Sequence, residues 1–195
     1  MDEKSETQFK IKHAVDYRNI KHARLEYKTG HLLLILPKGY ENKQNLIDKY
    51  KTWIKNKEAF IQQAIAETKE KNPELNRTNQ QLRNVVNSLI DGYRQKYGFE
   101  VKKIFYRKMK SKWGSRSSKG NLTLNTLLRY LPNKLIEYVV FHEMTHYLGK
   151  RHNDSFWRTI SKEFDNWKIF EKDLLVYWFI IQDLEKNPQN AGGSN

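Results

Sequence analysis

The stretch HEMTHYLGKRH runs from His142 to His152 and holds three of the chain's six histidines. It follows KLIEYVVF, residues 134–141. Leu135, Val139, His142 and His146 stand at i, i+4, i+7 and i+11, so they share one stripe of a helix and the two histidines continue its buried face. Each residue turns about 100° and rises about 1.5 Å, which sets the two imidazoles about 6 Å apart along the axis, close enough to share one ion at bonds of about 2 Å. Glu143, offset by one position, reaches the open side of that ion without binding it. On an unbroken helix His152 would lie about 9 Å beyond His146, so the chain is expected to turn back after Leu148. Gly149 supplies the turn, because glycine accepts the left-handed conformation that ends a helix. Three histidines leave a fourth position for water, the arrangement of catalytic rather than structural zinc. The expected site is therefore Zn2+ held by His142, His146 and His152, with Glu143 catalytic. Glu163 is the alternative third ligand, in place of His152. Buried, hydrogen-bonded histidines would give the same short string, but the apolar helix, the glycine stop and the third histidine are separate requirements that the sequence also meets.

Outward from this stretch, the helix is expected to start at Pro132, whose missing N–H suits a first turn, and to run to Leu148. NDSFWRTISKEF reads as a further helix capped near Asn153 or Asp154, and KIFEKDLLVYWFIIQDLEK as the last. Upstream, FKIKHAVDY alternates at period two, and HARLEYKTGHLLLILP reads as a hairpin turning at Thr29-Gly30 and closed by Pro37. A long helix from Asn42 to Lys71 follows, broken by KNPEL at Pro73. A second helix extends to Tyr97, with Leu82, Val85, Val86, Leu89, Ile90 and Tyr93 apolar and Gly98 as its stop. FEVKKIFY is an expected strand, SKWGSRSSKG a loop and NLTLN a short strand. The fold class is α+β, a small antiparallel β-sheet packed against helices. Residues 1–72 form an amino-terminal hairpin region and long helix, 73–187 the domain that carries the site, and 188–195 a mobile tail.

Composition narrows the chemistry. There is no cysteine, so neither disulfides nor thiolate ligands are possible, and a transition-metal site must use His, Asp or Glu. The first twenty residues lack the apolar stretch of a signal peptide, and the longest apolar run, LLVYWFII, is too short to span a bilayer. A soluble cytoplasmic protein is expected. Lys plus Arg number 36 against 22 Asp plus Glu, a net charge of +14. VKKIFYRKMKSKWGSRSSKG, residues 101–120, carries eight basic residues and no acidic one, which points to an anionic ligand or nucleic acid as a possible partner. Trp113-Gly114-Ser115 reads as a structural turn, Trp anchoring the loop and Gly permitting a tight bend. Arg107, Lys112 and Arg116 are candidates for the rim of the cleft, where they would hold substrate, and Tyr147 or Arg107 could serve the developing oxyanion. Phe156 and Trp157 are expected to pack their helix against the histidine helix, and His13, His22 and His31 to be surface or packing residues.

Literally the string fits HExxHxxGxxH, the metzincin signature, but Met144 lies inside the helix and no methionine follows it to form the turn that metzincins need. RKMKSKWGSRSSKGNLTLN, EYVVFHEMTH and HNDSFW together resemble the YgjP-like metallopeptidase family, which is related to the minigluzincin and SprT-like proteins. The start through LPKGY and the WIKNKEAF helix are similar too, so the likeness covers about Phe9 to Trp178. It implies a zincin-like core with HExxH on the active-site helix, three histidine ligands and a catalytic Glu143. Arg116 stands where the family usually has cysteine, Lys112 where arginine is common, and Arg151 where asparagine usually precedes the third histidine. The function expected is metal-assisted hydrolysis of peptides or proteins. The alternatives are a zinc hydrolase of nucleotides or other phosphate compounds, or a nucleic-acid-associated SprT-like protease or binding module.

Overall fold

Strand order in this protein follows from which strand is apolar on both faces. The computed structural model describes residues 13–28 and 31–187. In the first of two compact units, Met1–Ile61, strands β1 (His13–Arg18), β2 (Arg24–Lys28) and β3 (His31–Pro37) form a sheet of order β1-β3-β2. Leu32, Leu34, Ile35 and Leu36 are all buried, so β3 needs a neighbour on each side. The expected hairpin pairs β2 with β3 antiparallel, Leu25 facing Leu34. β1 takes the opposite edge of β3 and runs parallel to it, Val15 facing Leu34. The sheet is thus mixed, not antiparallel as expected. Its leucines pack on Leu46 and Ile47 of helix α1 (Lys43–Lys49) and Ile54 of α2 (Lys51–Ala66). Tyr50 interrupts the long helix expected there, at φ −108° and ψ 14°. Residues 9–12 of the first expected strand, the Thr29-Gly30 turn and the expected tail, 188–195, lie outside the described residues.

The second unit is Gln62–Asn195. The division falls within α2, upstream of the 72/73 boundary expected from the Pro73 break. Residues just before that break are tied into this unit: Lys172 pairs with Glu67 and Lys71 with Asp173, and the Tyr177 hydroxyl donates to the Asn72 carbonyl. Helix α3 (Asn79–Tyr97) starts at a capping box between Thr78 and Gln81 and stops at Gly98, whose φ of 69° is left-handed. Its buried residues Leu82, Val86, Ile90 and Tyr93 face helix α4 (Asn133–Thr145). β4 (Ile104–Arg107), β5 (Gly114–Arg116) and β6 (Leu122–Asn125) repeat the topology of the first sheet. β6 is central, parallel to β4 and antiparallel to β5. The expected loop SKWGSRSSKG therefore carries an edge strand. Helices α5 (Asp154–Glu163) and α6 (Trp167–Lys186) complete the unit. Among the described residues no helix is long and apolar enough to cross a membrane.

Asn125, fully buried at the end of β6, pegs the loop between β4 and β5. Its Oδ1 accepts the N–H groups of Met109 and Leu127, and its Nδ2 donates to the carbonyls of Met109 and Lys112. Every hydrogen-bonding position of the amide is used. Replacing it by alanine strands these backbone groups, so Asn125→Ala is expected to cost about 2–4 kcal/mol, read as a lowered midpoint in urea unfolding with the slope unchanged.

Candidate metal centre

Helix α4 buries Leu135, Ile136, Tyr138, Val139, Val140, Phe141 and Met144, which occupy every side of it. His142 and Glu143 sit on its last turn, and His146 opens the single 3-10 turn His146–Leu148 that follows. Gly149 then adopts φ 152° and ψ 166°. This is not the left-handed conformation expected but the mirror-extended one, which is also reserved to glycine. The reason is geometric: the chain leaves the helix extended, and three residues bring it back. Asn153 caps α5 by accepting the Phe156 N–H, which holds the preceding His152 in place. Phe156 is buried and its ring lies 5.0, 4.9 and 4.6 Å from the centroids of His142, His146 and His152. It packs α5 against the histidine helix as expected and walls all three imidazoles at once. Trp157 lies beside His152 and stacks on Trp167 at 3.9 Å.

The Nε2 atom of His152 lies 3.1 Å from that of His142 and 3.2 Å from that of His146. Four ligands around an ion with bonds of about 2 Å stand about 3.3 Å apart, so the nitrogens fit a shared ion. The outward nitrogens of two rings face oxygen atoms, one of them within hydrogen-bonding distance. His146 Nδ1 lies 3.1 Å from the Gly149 carbonyl, and His142 Nδ1 lies 3.7 Å from Glu171 Oε1. Partners of this kind orient an imidazole and turn the other nitrogen's lone pair inward. Glu171 is itself held by the buried Tyr138 hydroxyl at 2.6 Å. Burial, aided by the two neighbouring imidazoles, pushes His142 down to about 3, so its ring is neutral, as a ligand must be. An all-imidazole donor set suits zinc, copper, iron or nickel rather than calcium or magnesium.

Glu143 is buried beside these rings, against β5. Its carboxylate accepts the backbone N–H of Arg116. A Cβ on Gly114 would stand 2.6 Å from Glu143 Cγ and 3.0 Å from Oε1. Gly114 therefore admits the carboxylate rather than serving only to bend the loop. Trp113 does anchor that loop, edge-on to Trp178 at 5.0 Å. Burial pushes the Glu143 carboxyl up to about 7, against the charge of Lys112 and the Arg116 N–H.

A cavity of about 670 Å3 opens over the group, lined by the three histidines, Glu143, Arg116 and Tyr147 among others. The Arg116 guanidinium sits 5.4 Å from the Tyr147 ring centroid and donates to the Glu100 carbonyl. Lys112 is not in the lining, although its charge reaches Glu143. Arg107 is exposed at the end of β4 and is not in the lining either. Glu163 accepts from Lys96 and Tyr97, away from the imidazoles. Among the described residues only His142, His146 and His152 form a group of three or more metal-ligating side chains, so Glu163 is not the third member. His13 and His22 are exposed, and the side chain of His31 lies outside the described residues. Sequence reasoning missed Glu171, the Gly149 carbonyl and the role of Gly114. A carboxylate three residues before Leu174 and seven before Trp178, on the apolar stripe of α6, is the one sequence signal that marks Glu171.

No curated protein matches the sequence. Two similar solved structures are metallopeptidase zymogens. Jannalysin of Methanocaldococcus jannaschii is 24% identical, with 53% of this chain and 96% of that chain covered and a TM-score of 0.41. Abylysin of Pyrococcus abyssi is 23% identical, with 51% of this chain and 95% of that chain covered and a TM-score of 0.41. The YgjP-like metallopeptidase domain matches residues 11–176, and on that match the chain belongs to the YgjP-like metallopeptidase family.

Proposed function

We propose that the protein is a zinc-dependent peptidase in which His142, His146 and His152 hold the ion and Glu143 is the general base. The observation that carries this reading is the convergence of three Nε2 atoms, that of His152 lying 3.1 and 3.2 Å from those of His142 and His146, beside a buried carboxylate in one cleft. Membership of a metallopeptidase family implies a metal ion and suggests peptide substrates. Zinc is the choice among imidazole-seeking metals because hydrolysis needs a Lewis acid without redox activity. When bound, the ion supplies an acidified water and polarises the carbonyl under attack. Glu143 takes the proton of the attacking water at its carboxylate and returns it to the departing amine nitrogen. A carboxyl raised to about 7 is matched to both halves of that exchange near neutral pH.

The strand next to Glu143 supports a peptide substrate. β5 is an edge strand, and an extended peptide pairs with such an edge through main-chain hydrogen bonds. Arg116 and Tyr147, in the cleft lining, are the side chains placed to contact substrate, and Tyr147 is the candidate donor to the oxyanion. Lys112 acts through its charge on Glu143. A second reading, hydrolysis of a nucleotide or other phosphate compound, draws support from Lys102, Arg116, Lys119 and Lys150 in the same lining. We assign the protein to the cytoplasm as part of this reading.

Three outcomes test the reading. Glu143→Gln should retain zinc and lose about 100-fold or more of kcat on casein-like peptides, with nucleoside triphosphates assayed in parallel; an unaltered rate on both would remove Glu143 from the chemistry. His152→Ala should lose zinc by elemental analysis, whereas Glu163→Ala should keep a full equivalent. Gly114→Ala should bind zinc normally yet lose activity about as Glu143→Gln does, because the new methyl displaces the carboxylate; full activity would show that the carboxylate tolerates displacement.

A further inference from the structure

The sheet β4-β6-β5 has a second face, and its β4 side chains lie outside the cleft lining. Ile104, Tyr106, Leu122 and Leu124 belong to the core or pack against it. Lys103, Phe105 and Arg107 alternate with Ile104 and Tyr106, and they project from the opposite side. Phe105 is 49% exposed in the middle of its strand. Thr123 pairs in register with Phe105 on one side and with Ser115 on the other, so hydroxyls lie beside the ring rather than further apolar groups.

The charge around that ring is uncompensated. Lys103, Arg107 and Lys110 are exposed, and none forms an ion pair among the described residues. Of the lysines in this segment only Lys108 is paired there, with Glu185. Cations elsewhere in the unit do have carboxylate partners, as in Lys71–Asp173 and Lys172–Glu67. The loop bearing Lys110 is held by Asn125, which bonds the backbones of Met109 and Lys112. These positive charges are therefore carried on a fixed frame, which lowers the ordering cost of binding.

We propose that this outer face binds single-stranded nucleic acid, with Phe105 stacking an unpaired base and Lys103 and Arg107 contacting the phosphates on either side. An aromatic ring set among cations on an open sheet face is the arrangement that holds unpaired bases and tracks their backbone. A duplex hides its base faces from such a ring. A lipid surface calls for several apolar side chains on one amphipathic element, whereas here one ring stands among charges and hydroxyls. Lys103, Phe105 and Arg107 lie outside the cleft lining, so the proposal stands independently of the peptidase reading.

The test is fluorescence anisotropy of the full chain with a labelled oligothymidylate of about 15 nucleotides. Binding is expected, weakening about tenfold or more between about 50 and 200 mM salt. Phe105→Ala should weaken it about tenfold and Phe105→Trp should restore it, while Lys103→Glu combined with Arg107→Glu should abolish it. These side chains are exposed, and an unchanged melting temperature verifies that the variants fold. The proposal is overturned by no binding at the lower salt, by Phe105→Ala binding as the native chain does, or by equal affinity for a duplex of the same length. Binding to vesicles containing anionic lipid without binding to the oligonucleotide overturns it as well, in favour of a membrane surface.

Discussion

Helix α4 is packed on every side by apolar neighbours, and that packing fixes the site. Tyr138, Val140, Phe141 and Met144 are fully buried, so the helix cannot rotate or slide without opening the core. His142 and Glu143 ride on its last turn and inherit that rigidity. The burial that immobilises them also sets their protonation. It drives His142 toward the neutral ring a metal requires and raises Glu143 toward neutrality. A flexible or solvated segment with the same residues would do neither.

The second layer around the histidines comes from different places in the chain. Gly149 offers its carbonyl to His146 from the turn just after the helix. Glu171 faces His142 from α6 and is itself oriented by Tyr138 on α4. Phe156, from α5, touches all three rings. Three helices thus constrain a group only eleven residues long, and the imidazoles are gathered by packing before any ion is considered.

The parts of this arrangement legible in the sequence were those governed by local geometry. Helical spacing placed His142 and His146 on one stripe, and the glycine marked where the chain must return with His152. The capping box at Thr78 and the stop at Gly98 follow the same local logic, although only the latter was read from the sequence. What escaped depends on neighbours distant in sequence. Gly114 is required because Glu143 approaches it, which no turn preference reveals. The mixed sheets arise because β3 and β6 take central places, although LLLIL in β3 already advertised two apolar faces. Charge alone points Arg107 toward the cleft. The alternation of β4, with Ile104 and Tyr106 turned inward, sends it to the other side of the sheet.

Arg116 illustrates a division of labour between main chain and side chain. It serves Glu143 through its main-chain N–H, while its guanidinium stands in the cleft over Tyr147. Any amino acid except proline offers the same amide, so the side chain at this position is free to drift without disturbing the carboxylate. Two positions earlier, Gly114 has no such latitude. One short strand therefore combines a position fixed by packing with one whose side chain can change the cleft wall without moving Glu143.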